Sequence, residues 1–236
     1  MTPATPAPNA TAIVFGASGG IGSALVAALS QDPRYAEVIA FSRSGPHPFD
    51  LTDESSIAAA AASVAHSAHP IRIIIDATGA LADDGCVAEK SWRQLEPLNM
   101  ARAFQINAIG PALLMKHFLP LLPREGKSVF ATLSARVGSI ADNQLGGWYS
   151  YRASKAALNQ FVRTAAVELR RNNPAAICVA LHPGTVDTSF TQRFAKTGLE
   201  VQTPEISAAK LLAVIDALEA SRNGTFVDQH GYTIEW

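Results

Sequence analysis

Short, apolar, β-branched runs recur along this chain, separated by longer alanine-rich stretches, and that rhythm limits the possible folds more than any single motif. The runs fall at 12–15, 38–41, 71–75, 128–133, 177–181 and 225–227. Each is too short for a helix and too apolar for a strand with one wet face, so each predicts a strand buried on both faces. Between them, 21–30, 54–65, 98–121, 152–171 and 207–221 read as helices, the fourth stopped by Pro174. Strands and helices alternating at this spacing predict βαβ crossovers. The expected architecture is a doubly wound α/β Rossmann fold. It has one mostly or wholly parallel sheet of about seven strands, with helices on both faces.

With 236 residues and 48% hydrophobic content, the chain can bury a large core. No internal repeat or linker composition divides it. Residues 11–236 are therefore expected to be a single dinucleotide-binding catalytic domain, behind a disordered Pro/Ala/Thr-rich leader over 1–10. That leader lacks both the basic start and the apolar centre of a secretory signal. No run approaches the ~20 apolar residues of a membrane span. The expectation is a cytoplasmic protein without a membrane partner. A formal net charge of -1 and the absence of a dense Lys/Arg run give it no electrostatic reason to hold nucleic acid. Two cysteines, Cys86 and Cys178, and six scattered histidines suggest neither a disulfide framework nor a metal site.

The first run leads directly into Gly16-Ala17-Ser18-Gly19-Gly20-Ile21-Gly22 and then a helix. Glycine lets a chain turn tightly and approach phosphates, and the unpaired N–H groups of a helix start favour an anion. Gly16, Ser18, Gly20, Ile21 and Gly22 are the candidate pyrophosphate cradle. The second run ends at Phe41-Ser42-Arg43-Ser44. An acidic residue here would meet a ribose 2′-hydroxyl, whereas an arginine accommodates a 2′-phosphate, so Arg43 favours NADP(H) over NAD(H). Asp50, with Leu51 beside it, is placed to reach an adenine. Alternatively it only precedes the next helix, whose cap is Thr52 or Asp53.

Tyr149-Ser150-Tyr151-Arg152-Ala153-Ser154-Lys155 carries the reactive chemistry. Residues four apart share a helix face, so Tyr151 and Lys155 point into the same space. A phenol with a pKa of ~10 is a poor acid or base at neutral pH, and a nearby ammonium favours its ionised form. Such a tyrosine can hand a proton to a carbonyl oxygen or take one from an alcohol.

With Gly16-x-x-x-Gly20-Ile21-Gly22, Ala77-Thr78-Gly79, Asn107, Tyr151-Arg-Ala-Ser-Lys155 and Pro183-Gly184, the sequence resembles the short-chain dehydrogenase/reductase family over residues 11–236. Gly146-Gly147-Trp148-Tyr149-Ser150-Tyr151 and Ala156-Ala157-Leu158-Asn159 are most similar to its C-factor and sniffer-type carbonyl reductase branch. The resemblance implies that Tyr151 is the general acid/base. Lys155 would lower its pKa and hold the nicotinamide ribose, and Asn107 would anchor a proton relay through Lys155. It further implies that Ala77, Thr78 and Gly79 line the cofactor site and that Pro183, Gly184, Val186 and Thr188 line the nicotinamide carboxamide. Homodimers or homotetramers paired through the helices 98–121 and 152–171 would follow.

Two departures stand out. Asp76-Ala77-Thr78-Gly79 replaces the family's common Asn-Asn-Ala-Gly, a change that still allows backbone bonding. The substrate-orienting serine of the family falls on Ala135, within Leu133-Ser134-Ala135-Arg136-Val137-Gly138-Ser139. Ser134 is the expected hydroxyl donor, with Ser139 as the alternative. Trp148, Tyr149, Phe190, Phe194 and Leu145 fall in two loops expected to cover the nicotinamide, and they pack a lid, a pocket or a subunit contact. The reading is therefore an NADP(H)-dependent oxidoreductase acting on a small, apolar carbonyl or secondary alcohol. Its alternative is a dinucleotide-binding regulatory protein of C-factor type with little turnover.

Overall fold

In the computed structural model, which describes residues 9–81, 88–191 and 200–236, the alternation becomes a seven-stranded sheet. The strands are β1 (Ala10–Phe15), β2 (Tyr35–Ser42), β3 (His47–Pro48), β4 (Ile71–Asp76), β5 (Ser128–Leu133), β6 (Ala176–His182) and, after a separate pair, β9 (Phe226–Asp228). The separate pair is β7 (Thr185–Val186) with β8 (Val201–Gln202), itself parallel. The main order is β3-β2-β1-β4-β5-β6-β9, and all six neighbouring pairs are parallel. Strand order reverses between β1 and β4. In open α/β sheets that reversal opens a crevice at the carboxyl ends of the strands, where ligands bind.

Both faces are covered, as the unbroken apolar runs require. Ile13, Phe15, Ile74, Phe130 and Cys178 point one way, into a core with α2 (Glu54–Val64), α4 (Gly110–Phe118) and α5 (Tyr149–Asn172). Ala12, Val14, Ile73, Ile75, Ala131 and Val179 point the other way, against α1 (Gly20–Ser30) and α6 (Pro204–Ala217). The two sets alternate along each strand because successive side chains leave opposite faces.

Several boundaries differ from the sequence expectation, each for a local reason. β1 starts at Ala10, inside the expected leader, with Ala10 already buried. Residues 1–8 lie outside the described residues, as do Cys86 and Phe194. β3 was not anticipated. It is two residues long and ends in a proline, which a sheet tolerates at an edge. The helix expected at 98–121 is interrupted: α3 (Pro97–Phe104) runs into a π turn, Gln105–Ile109, before α4 and a closing 3₁₀ turn, Leu119–Leu121. Regular winding would bond the N–H of residue 111 to the carbonyl of Asn107, and Pro111 has no N–H. Gly110 N–H instead reaches the carbonyl of Gln105, five residues back. α5 starts three residues before the expected 152, which puts Tyr151 in its first turn. The cap of α2 is Asp53, whose carboxylate accepts from Ser55 N–H. The end of the chain is ordered onto the core, with Thr233 bridged to Val227 and Trp236 stacked on Phe226. Among the described residues no helix is long and apolar enough to cross a membrane.

Phe15, the last residue of β1, anchors the glycine turn that follows it. Its ring stacks on Phe41 at 5.0 Å and meets Phe118 edge-on at 4.8 Å, with Phe49 at 5.2 Å. Phe15→Ala is expected to cost about 3–5 kcal/mol of stability, seen as a large drop in Tm. A loss under about 1 kcal/mol would mean that this cluster does not hold β1 in place.

Candidate active site

The turns that end β1, β4 and β6 meet above the sheet, and the glycines among them are the contact points. Gly16 sits at φ 74, a conformation that side chains disfavour. A Cβ on Gly22 would lie 2.2 Å from the Gly16 carbonyl oxygen, and one on Gly20 would lie 2.6 Å from Thr188 Cγ2. The turn thus packs on itself and against the loop beyond β6. α1 begins at this turn without a side-chain cap and without an acidic residue in its first turn. Its leading N–H groups are therefore suited to an anion, and the observed cradle fits a dinucleotide pyrophosphate. Ser18 is exposed in the turn, and Ile21 packs on the α1–α6 core.

The expected adenosine-side residues lie one strand further out. Arg43 is exposed immediately after β2. The carboxylate of Asp50 accepts both the N–H and the hydroxyl of Thr52 at 2.8 Å, bonds that hold its pKa below the usual carboxylate range. Leu51 is buried against Gly110, where a Cβ would approach its Cγ to 2.5 Å.

On the other side, the turn after β4 is built on a buried carboxylate. Asp76 accepts from Thr78 N–H at 3.0 Å, from the Thr78 hydroxyl at 2.5 Å and from the Thr132 hydroxyl at 2.6 Å. Ala77 N–H is bonded to the Phe15 carbonyl at 3.0 Å, tying this turn to the glycine turn. Two residues on, Gly79 leaves space that a Cβ would fill at 3.4 Å from Asn107 Oδ1 and 3.5 Å from Lys155 Nζ. Asn107 is fully buried within the π turn. It accepts from Ala80 N–H at 2.9 Å, donates to the Ala80 carbonyl at 2.7 Å and reaches Ser154 Oγ at 3.3 Å.

Tyr151 and Lys155 stand together as expected, 7% and 2% exposed. Lys155 Nζ lies 5.9 Å from the Tyr151 ring centroid and donates to the Leu133 carbonyl at 2.8 Å. Burial raises the pKa of the Tyr151 phenol, keeping it protonated. It pulls Lys155 down to about 8, against the opposing pull of the Asp76 charge. Ser154 Oγ donates to the Tyr151 carbonyl at 2.9 Å, joining Asn107 to the first turn of α5. Sequence reasoning did not single out Ser154, although its place between Tyr151 and Lys155 in the motif was the available signal.

The two candidate serines have other partners. Ser134 Oγ donates to Asn159 Oδ1 at 2.7 Å, and Ser139 Oγ accepts from Asp142 N–H at 3.1 Å. The residue that joins the cluster around Tyr151 is Ala135, with Leu81, Ala88, Val137 and Trp148. Trp148 and Phe190 flank the tyrosine, with ring centroids at 6.3 and 6.1 Å, whereas Leu145 points to solvent. Beyond β6, Pro183 is held through its carbonyl by Gln202 Nε2 at 2.7 Å and Ser207 Oγ at 3.0 Å. Gly184 turns at φ 78, and Val186 is buried in β7.

This is a Rossmann-like parallel sheet with a tyrosine–lysine pair at its crevice, and comparison with known proteins agrees on the fold. The family model described as enoyl-(acyl carrier protein) reductase matches residues 16–214. C-signal of Myxococcus xanthus is 37% identical over 139 residues, 58% of this chain and 79% of that one. A 1-hydroxy-2-glutathionyl-2-methyl-3-butene dehydrogenase from a Rhodococcus strain is 32% identical over 187 residues, 79% of this chain and 78% of its own. Among solved structures, the NADPH-bound carbonyl reductase from chicken fatty liver superposes with a TM-score of 0.81 at 27% identity, covering 98% of this chain and all of that one. The chain belongs to the short-chain dehydrogenase/reductase family of oxidoreductases.

Gly22→Ala has no room for its methyl against backbone atoms of the same turn. Dinucleotide affinity, measured by titration of protein fluorescence, is expected to fall at least about tenfold while the far-UV spectrum stays that of the parent. Unchanged affinity would mean that this turn is not the cradle.

Proposed function

We propose that this protein is an NADP(H)-dependent oxidoreductase that interconverts a carbonyl and a secondary alcohol on a small, apolar substrate. The observation that carries the reading is the meeting of Tyr151, Lys155 and Asn107 with Gly79 at the crevice edge that the glycine turn also faces. Bound in that crevice, a nicotinamide dinucleotide would supply or accept hydride. Gly16, Ser18, Gly20, Ile21 and Gly22 would hold its pyrophosphate. Arg43 would hold a 2′-phosphate, with Asp50, Leu51, Ala77 and Thr78 along the adenosine half. Pro183, Gly184, Val186 and Thr188 would hold the nicotinamide end.

The protein's own residues then manage one proton. Tyr151, kept neutral by burial, donates from its phenol to the substrate oxygen as that oxygen gains charge. The Lys155 ammonium stabilises the phenolate that this leaves, an electrostatic effect strengthened by the low dielectric of the site. Asn107 ties the Ala80 backbone to Ser154, whose hydroxyl bonds the Tyr151 carbonyl. Ala135, Val137, Trp148 and Phe190 supply an apolar wall against which a flat, hydrophobic substrate would lie. Ser134 spends its hydroxyl proton on Asn159, and in this reading the phenol is the main donor to the reacting oxygen. Pairing of two or four chains through α4 and α5 belongs to the same reading.

One observation favours a second reading. The methyl of Ala135 stands where the family places a hydroxyl, and C-signal is among the relatives. A dinucleotide-binding regulatory protein with little turnover is therefore the alternative.

NADPH and NADH oxidation across a panel of aromatic ketones, quinones and diketones separates the two. NADPH is expected to be the better substrate, and Arg43→Ala to raise its KM about 10-fold or more with NADH nearly unaffected. Tyr151→Phe is expected to abolish turnover while NADPH still binds. Tight NADPH binding without turnover on any carbonyl would favour the regulatory reading instead.

The reduction rate should also follow the charge on Lys155. The ammonium is present below its pKa of about 8 and lost above it. The kcat for reduction is therefore expected to be flat in weak acid and to fall as pH rises through that region. A rate that keeps climbing past pH 9 would remove Lys155 from the mechanism.

A further inference from the structure

The loop that delivers Tyr151 is held in an unusual shape. Gly146, Gly147 and Trp148 take φ values of 63, 66 and 53, three consecutive residues in the left-handed region. Glycine adopts that region readily, but a tryptophan does so only when its surroundings force it. Trp148 is the one non-glycine residue with positive φ among the described residues, and it is the position immediately before α5. Its conformation places the indole edge-on to Tyr151.

A single residue from another part of the chain holds both sides of this bend. Glu89, only 6% exposed, accepts the Trp148 N–H on its backbone oxygen at 2.5 Å. Its carboxylate accepts the Ser150 N–H at 3.2 Å through Oε2 and the Ser150 hydroxyl through Oε1. The neighbouring Ala88 packs in the cluster around Tyr151. On the outer side, the Arg152 guanidinium donates to the carbonyls of Gly147 at 3.0 Å, Gly146 at 3.2 Å and Val137 at 3.4 Å. The bend is thereby gripped from the interior by an anion and from outside by a cation. Because the carboxylate takes a leading N–H of α5, it also lies at the positive end of that helix.

We propose that Glu89 is a positioning residue for the active site: it locks the left-handed bend at Trp148 and the first turn of α5, and so fixes where the Tyr151 phenol and the Trp148 indole meet the substrate. Glu89 touches neither reacting atom. It acts through backbone geometry, where a misplacement of about 1 Å can cost about 10²-fold in rate. The inference rests on the reading of Tyr151 as the acid/base.

The test uses the full chain with NADPH and the best carbonyl from the panel, comparing Glu89→Ala, Glu89→Gln, Ser150→Ala and Tyr151→Phe. Glu89→Ala is expected to lower kcat about 10²-fold, with the KM for NADPH within about twofold of the parent. Glu89→Gln keeps a carbonyl acceptor for Ser150 and is expected to recover at least about tenfold of that loss. Hydrogen exchange at the amides of 148–151 is expected to quicken in Glu89→Ala while the sheet amides stay protected. A kcat within twofold of the parent in Glu89→Ala would overturn the proposal. So would Glu89→Gln as slow as Glu89→Ala with NADPH KM raised in both, because that pattern marks general damage. If Glu89→Ala does not fold, Ser150→Ala decides: a several-fold lower kcat at unchanged NADPH KM supports the proposal, and an unchanged kcat overturns it. Full turnover in Tyr151→Phe would instead overturn the acid–base reading, leaving Glu89 to be judged on the exchange at 148–151 alone.

Discussion

An ammonium group in a protein interior is the constraint on which this structure turns. Lys155 is almost entirely out of solvent, and a cation there is tolerable only if its surroundings are polar and fixed. The Leu133 carbonyl at the end of β5 accepts a hydrogen bond from it, and the buried Asp76 at the end of β4 supplies opposite charge. Asp76 in turn needs the hydroxyls of Thr78 and Thr132 and the Thr78 N–H to be acceptable where it stands. The ends of two central strands, a turn and the start of α5 are thus bound into one network by the need to satisfy two buried charges. Shifting any of them strands a polar group without water to replace its partner.

The candidate site also depends on the sheet being parallel. Only a sheet whose strands all run one way brings the ends of β1, β4, β5 and β6 to one edge, and only a sheet covered on both faces keeps that edge dry beneath. The unbroken runs of Ile, Val, Ala and Phe that gave away the strands are therefore also what makes Lys155 costly to bury and useful once buried. Core composition and site electrostatics are two aspects of one arrangement.

Much of this was legible in the sequence. Six strands followed from apolar runs, and the glycine turn from its place between a strand and a helix. Tyr151 and Lys155 followed from i,i+4 spacing on a helix, which the structure places on one face of α5. What stayed hidden depends on long-range pairing. β3 is two residues of edge strand whose only signal is its neighbour. Ser134 is a strand-end serine that sequence cannot aim, and its hydroxyl proves to be bonded to Asn159 on α5. Glu89 lies far from Ser150 in the chain, and nothing near it marks a buried carboxylate. The reading of 98–121 as one helix failed at a single missing N–H, that of Pro111.

That missing N–H has a consequence for how the chain's length relates to its geometry. A π turn holds one residue more than regular winding needs, so it behaves as an insertion absorbed without a loop. Each residue of an α-helix advances the winding by about 100°, and the extra one sets the two flanking segments out of phase by that amount. α3 contributes no fully buried side chain, whereas α4 buries Leu114, Met115 and Phe118 in the core. The phase slip at Asn107 lets one nearly continuous rod carry two faces with different obligations. Asn107 sits at the slip itself, where its side chain points inward to Ala80 and Ser154.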